Sequence, residues 1–286
     1  MIGCDYGRSC FEPGSETTTR LGAMVEITLM RTRALIRLGR RLQGLGRAVE
    51  FPGRLRRRFA GIRVDEDVLA WASRPYVAKR GVHAVVDVGA NVGQFARAAL
   101  LAFPKAVVHS FEPLPAVFEE LEKMATDNES RGRLHTYRTA VGSSLGAAIV
   151  RQAAFSPASS ILPDGKDAWR ATDSASPHPP KPVEVSCTTL DVWSASAQLE
   201  LPILLKLDVQ GYEANVLRGA TRLLQKVDFV LIEVANVELY ERMATFATLA
   251  SILEPYGLRY LEALSVVRES DTGLPLWQDV VFGRIE

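Results

Sequence analysis

Cysteine is almost absent from this 286-residue chain, which holds only Cys4, Cys10 and Cys187. An odd, widely spaced set builds neither a disulfide framework nor a zinc site, and it suits a reducing cytoplasm. No apolar stretch reaches the roughly 18 residues that a transmembrane helix needs. The nearest candidate, Leu21–Met30, is broken by Glu26 and followed by Arg31 and Arg33, a pattern that also argues against a signal peptide. Lysine is missing from residues 1–63, where 13 Arg stand against 5 acids, a net of +8. The remainder carries 21 basic residues against 28 acidic ones, a net of −7. A basic head on an acidic body predicts contact between the head and an anionic surface. The acidic body in turn argues against nucleic acid as a partner. With 47% hydrophobic residues, a chain of this size buries roughly three-quarters of its unfolded surface without help from metals or disulfides.

Residues 1–23, rich in Gly, Ser, Thr and Glu without periodicity, are expected to be disordered. Over 24–47, Ile27, Met30, Ala34, Leu38, Leu42 and Leu45 recur at helical steps with Arg33, Arg37, Arg40 and Arg47 opposite. Such a basic helix either lies on an anionic membrane or packs on its own domain. Pro52, Gly53 and Arg56–Arg58 mark a linker. The expected organisation is a basic N-terminal extension, 1–63, with peripheral membrane contact through 24–58, followed by one domain, 64–286. A cytoplasmic protein, at most peripheral to the membrane, is the matching expectation.

From about residue 64, apolar strand-like runs alternate with helical patterns. Strands are expected at Ala84–Val88, Ala106–Phe111, Leu134–Val141, Ala147–Gln152, Val183–Cys187, Ile203–Asp208, Phe229–Val234, Leu258–Ala263 and Asp279–Arg284. Helices are expected at Val92–Ala102, Pro115–Thr126, Tyr212–Gln225 and Phe246–Tyr256, with a long Ala-, Ser- and Pro-rich loop over 153–182. This alternation predicts an α/β, Rossmann-like fold: a mainly parallel sheet with helices on both faces. Ligands of such sheets bind beyond the carboxyl ends of the strands.

There the sequence is informative. The first strand runs into Asp87-Val88-Gly89-Ala90-Asn91-Val92-Gly93, whose glycines permit a tight turn and close approach of a ligand to the backbone. The GxGxxG of a dinucleotide fold is absent, and an acidic turn suits a cationic sulfonium with an amino-acid tail better than a pyrophosphate. The second strand ends in Phe111-Glu112-Pro113, which places a carboxylate where a ribose diol can donate to it. Further along, Asp208 closes the strand after Lys206, on the same face, so an ion pair is expected; Glu233 and Asn236 close the next strand. These three are the candidates for taking a proton from, or orienting, an acceptor hydroxyl. Glu213, early in a helix, is expected to be structural. His109 is expected in the core, and His178 lies in the long loop. No Cys/His cluster supports zinc and no metal ligands are assigned; Asp191, Asp208 and Glu233 would serve a hard cation only if the fold brought them together.

The segments Val86–Gly93, Phe111-Glu112-Pro113, Ala140-Val141-Gly142, Thr189-Leu190-Asp191 and Lys206–Glu213, in this order, resemble FkbM-type methyltransferases over about residues 80–285. The resemblance implies a class I methyltransferase fold with a seven-stranded sheet, and S-adenosyl-L-methionine as cosubstrate. It also implies O-methylation of a sugar or another small polyol, free or lipid-linked. The residues expected at the cosubstrate are Asp87, Gly89, Asn91, Gly93, Glu112, Ala140 and Asp208. Two other readings remain open at this point: a nicotinamide-dependent oxidoreductase, and a non-catalytic membrane- or partner-binding module with a retained cosubstrate pocket.

Overall fold

A computed structural model of the chain describes residues 66–126, 130, 132–153, 158–168 and 180–284. The extension 1–63, the proposed membrane contact through 24–58, and His178 all lie outside the described residues. Among the described residues no helix is long and apolar enough to cross a membrane.

The described chain begins with two short helices, α1 (Glu66–Ala72) and α2 (Pro75–Arg80). It then follows β1 (Ala84–Val88), α3 (Gln94–Ala102), β2 (Val107–Phe111), α4 (Pro115–Thr126), β3 (Leu134–Tyr137), β4 (Ala140–Val141) and β5 (Gly146–Gln152). After the long loop come β6 (Lys181–Thr188), α5 (Leu190–Ser194), β7 (Ile203–Leu207), α6 (Glu213–Arg218), β8 (Val227–Ala235), α7 (Phe246–Leu253), β9 (Arg259–Arg268) and β10 (Pro275–Gly283).

The main sheet has seven strands in the order β3-β2-β1-β7-β8-β10-β9. Neighbouring strands from β3 to β8 pair in parallel, and β10 runs antiparallel to both β8 and β9. All five residues of β1 and of β7 are buried, as the near-continuous apolar runs require of strands covered on both faces. Alternation along each strand splits the core in two. One face packs Val86, Val88, Leu205 and Leu207 against α5, α6 and α7. The other packs Val85, Leu204 and Phe229 against α1, α3 and Trp71. Trp71 meets Phe229 edge-on at 5.4 Å and donates its indole N–H to Tyr76 Oη at 2.7 Å. The helices α1 and α2 have seven and six residues, too short for helical periodicity to be read from sequence.

Two expected elements depart from the simple alternation. The run Leu134–Val141 is split: β3 joins the main sheet, but after the tight Thr139 N–H to Tyr137 O bond (3.0 Å) the chain turns into β4. There β4 pairs with β6, and β6 with β5, in a separate three-stranded sheet. The expected helix Tyr212–Gln225 is also interrupted. It stops at Gly219, whose Cα lies so close to Gly142 that a Cβ would sit 2.0 Å from the Gly142 carbonyl oxygen. A 3-10 turn at Leu223–Gln225 follows, its free N–H groups at Arg222 and Leu223 capped by the Asp191 carboxylate at 2.9 Å. Asp191 is thereby committed to a cap, far in role from the hard-cation ligand considered for it.

Because the chain builds outward from β1 to β3 and then returns through β7 to β8, strand order reverses between β1 and β7. A crevice opens at such a switch point, past the strand ends.

Candidate active site

A cleft of about 330 Å³ occupies that position. Gly89, Asn91, Glu112, Ala140, Asp208 and Glu233 all line it. Three other residues expected at the site are placed elsewhere. Asp87 sits within β1, fully buried beneath the cleft, because strand alternation turns it away from the strand end into the sheet. Gly93 caps α3 at φ +89° against Met124, where a Cβ would lie 2.7 Å from Sδ, so its role is the turn itself. Asn236 follows the last residue of β8, is exposed, and is anchored by its own N–H to the Leu276 carbonyl at 2.7 Å. Three residues past Glu233, it has left both the strand and the cleft.

The floor is a buried charge cluster. Lys206 Nζ lies 3.4 Å from Asp87 Oδ1 and 3.4 Å from Asp208 Oδ2, and donates to the Gly89 carbonyl at 3.1 Å. It also sits 5.5 Å above the Phe95 ring. Burial works against the ammonium, but Asp208 and Asp87 outweigh it and hold the Lys206 pKa above its ordinary value. Burial raises Asp87, opposed by Lys206 and by the Ser110 hydroxyl, which donates to Oδ2 at 3.0 Å. One lysine thus balances two carboxylates, one under the cleft and one in it.

Glu112 closes β2 with both oxygens engaged by backbone: Asn91 N–H donates to Oε2 at 3.0 Å and Leu114 N–H to Oε1 at 2.9 Å. These bonds lock the carboxylate toward the cleft while each oxygen keeps a second lone pair. Burial lifts its pKa to about 7.

At the far side, Asp208 and Glu233 converge on one amide. Gln210 Nε2 donates to Asp208 Oδ1 at 2.7 Å and to Glu233 Oε1 at 3.1 Å. Burial, then the charges of Asp208, Asp279 and Glu213, push Glu233 well above the usual carboxylate range. Asp279 reaches this group because β10 sets it directly opposite Glu233 in the antiparallel register. Gln210, Asp279 and Tyr240 were not legible as site residues in the sequence. Asp279 alone carried a usable signal, an acid inside an apolar terminal strand. Ser159 lines the cleft, and its neighbour Ser160 is buried. His109 is a buried histidine whose pKa burial, then His135, lowers to about 4. Among the described residues no group of three His, Cys, Asp or Glu side chains is placed to hold a metal ion.

Glu213 is structural in the expected sense. Its Oε1 accepts from Val209 and Gly211 N–H, both at 3.1 Å, and so closes the turn after β7. Burial raises its pKa to about 7. A raised acid stabilises fully below its unfolded value of about 4.5 and loses that contribution as pH rises through about 7. The loss is on the order of 3 kcal/mol at full extent. Gln at this position keeps Oε1 and cannot ionise. Glu213→Gln is therefore expected to gain stability relative to the parent at pH 8 but not at pH 4.5, read as Tm differences. The same difference at both pH values would show that Glu213 ionisation does not strain the turn.

A family model described as the methyltransferase FkbM domain matches residues 87–260. The 2-O-methyltransferase NoeI of Sinorhizobium fredii is 28% identical over 225 residues, covering 73% of this chain and 84% of that protein. The hexuronic acid methyltransferase AglP of Haloferax volcanii is 31% identical over 150 residues, 52% of this chain and 54% of its own. The 31-O-demethyl-FK506 methyltransferase FkbM of Streptomyces tacrolimicus is 27% identical over 208 residues, 65% of this chain and 74% of that one.

Proposed function

Because the chain belongs to the FkbM methyltransferase family, we propose that it transfers the methyl group of S-adenosyl-L-methionine to a hydroxyl of a small polyol. The favoured acceptor is a sugar of a glycolipid or natural product. The observation that carries this reading is the convergence of Glu112, Asp208 and Glu233 on one cleft at the switch point of the sheet. The class I methyltransferase fold supplies the frame.

The residues present fit the cosubstrate. Glu112 offers carboxylate oxygens to a ribose diol, the Gly89–Asn91 turn brings backbone to the cleft wall, and Leu114, Ala140, Val141 and Val150 form an apolar side for a purine ring. Bound there, the cosubstrate supplies an electrophilic methyl carbon. The protein's own groups do the rest. Asp208, at the end of β7 and partly exposed, faces the cleft to accept the proton of an incoming hydroxyl. Lys206 balances the charge on Asp208, and Glu233 beside it offers a second oxygen-rich partner for a neighbouring hydroxyl. Carboxylates outnumber the single lysine at this end, so neutral polyols are favoured over anionic acceptors. The name of the 2-O-methyltransferase NoeI supports a hydroxyl as target, and that of the hexuronic acid methyltransferase AglP supports a sugar. A membrane-proximal location through the basic residues 24–58 would suit a lipid-linked sugar.

Calorimetric titration tests the cosubstrate: S-adenosylmethionine and S-adenosylhomocysteine are expected to bind in the micromolar range and NADH not at all. Binding of NADH alone would overturn the reading. A panel of neutral glycosides and a hexuronate then tests the acceptor, with methyl transfer expected to the neutral sugars and little to the hexuronate. Glu112→Ala is expected to weaken S-adenosylmethionine binding by about ten- to a hundredfold, the worth of one or two charge-assisted hydrogen bonds. An unchanged dissociation constant would remove Glu112 from the ribose.

A further inference from the structure

The Asp208–Glu233 pair is not held by its own strands alone. After β7 the backbone passes through Gln210 at φ +54° and Gly211 at φ +94°. A left-handed conformation is uncommon for a residue with a side chain and persists where the surroundings over-determine it. Here it folds the Gln210 side chain back over the strand ends. All of its polar groups that project from this turn are then used. Nε2 donates to the two carboxylates, Oε1 accepts from Tyr240 Oη at 2.7 Å, and the main-chain oxygen accepts from Ser160 Oγ at 2.6 Å.

The partners come from different parts of the chain. Tyr240, buried in the loop after β8, pairs its backbone with Asp164; Ser160 pairs its backbone with Arg151 of β5. The segment 158–168, which carries both bridges, contributes Ser159 and Ile161 to the cleft wall. The phenol also fixes which way the amide points: by donating to Oε1 it leaves only Nε2 to face the carboxylates. Burial, followed by the charge of Glu233, raises the Tyr240 pKa and keeps the phenol a donor.

We propose that Gln210 is a positioning residue of the acceptor site, a clamp that fixes the carboxylates of Asp208 and Glu233 against one another and ties both to segment 158–168. The catalytic half of this inference rests on the methyltransferase reading above, whereas the clamp itself does not. Ala at position 210 would remove the donor to the two carboxylates and the acceptor of Tyr240, while the main-chain bond from Ser160 Oγ stays. Phe at position 240 would leave Gln210 intact but release its orientation.

The test uses the full chain as Gln210→Ala and Tyr240→Phe, with two readouts. Hydrogen exchange of the amides of 158–168 is expected to speed up by about tenfold or more in both variants, since each loses the bond between Tyr240 Oη and the Gln210 amide that holds Tyr240 against this segment. Methyl transfer to a neutral methyl glycoside that the parent methylates is expected to fall about a hundredfold in Gln210→Ala. The pH profile of kcat should shift upward, with S-adenosylhomocysteine affinity within about twofold of the parent. Parental exchange rates in both variants would overturn the clamp. Cosubstrate affinity falling in step with kcat would mark Gln210 as a general fold contact and overturn it equally. Were the parent to bind no S-adenosylmethionine, the function would fail while the exchange data still decided the clamp.

Discussion

Gly89→Ala is expected to abolish cosubstrate binding and lower thermal stability more than any other single methyl group added to the turn after β1. An ideal Cβ at Gly89 would sit 1.9 Å from the Asp208 carbonyl oxygen and 2.8 Å from its carbon, both backbone atoms of the neighbouring strand end. The φ of +81° adds left-handed strain to the collision. Nothing at this point yields easily. Gly89 N–H is bonded to the Phe111 carbonyl at 3.1 Å, its own carbonyl holds Lys206, and Asp208 N–H is bonded to the Val88 carbonyl at 3.1 Å. The methyl group must push β7 away from β1 and so open the Lys206–Asp208 contact. Backbone strain and overpacking together cost on the order of 4 kcal/mol. In a domain of this size that lowers Tm by roughly 8–16 °C. Gly257 supplies the comparison: its φ is +74°, yet nothing lies within 4 Å of the place a methyl group would take. Gly257→Ala should show the conformational cost alone, about 1 kcal/mol. Equal shifts in the two variants, with cosubstrate affinity retained in both, would mean that the close approach of Gly89 to Asp208 is soft and sets nothing at the site.

The same turn shows what a sequence discloses and what it withholds. The strands β1 and β7 are legible because burial on both faces leaves a run such as Val85-Val86 or Leu204-Leu205 with no polar side to show. Glu112 is legible because Pro113 ends the strand beside it. Asp87 is misleading for the same reason that β1 is clear. It sits in a strand, so its side chain follows the alternation into the sheet and touches the cleft only through Lys206. Asn236 fails through spacing, since the strand ends at Ala235 and the next side chain belongs to a bend. Gln210, Tyr240, Ser160 and Asp279 depend on contacts between segments separated by 14 to 82 residues of chain. No local periodicity encodes those. The second sheet is hidden likewise: Ala140–Val141 is two residues long and reads as the tail of β3 until its pairing with Cys187 and Thr188 is seen.

The largest effect on chemistry is expected at Asp208. Asp208→Asn keeps the shape of the side chain and an oxygen for the Gln210 amide, and it leaves Lys206 with Asp87 as a counter-charge at 3.4 Å. The fold and the Gly89 contact therefore survive, since the latter involves only the Asp208 backbone. What disappears is the cleft-lining carboxylate proposed to take a proton from the acceptor. General-base catalysis contributes about a hundred- to ten-thousandfold, so kcat should fall by that factor while S-adenosylhomocysteine binds within about threefold of the parent. Glu233 does not simply substitute, because burial and the neighbouring acids hold its pKa well above the ordinary carboxylate range and disfavour its charged form. If Glu233 were instead the base, Glu233→Gln would be the variant that collapses, and Asp208→Asn would relieve the repulsion on Glu233 and shift the pH profile downward. Measuring both kcat profiles separates the two carboxylates. A third pattern, in which Asp208→Asn loses cosubstrate affinity and turnover together, would move Asp208 from the acceptor to the methionine end of the cleft.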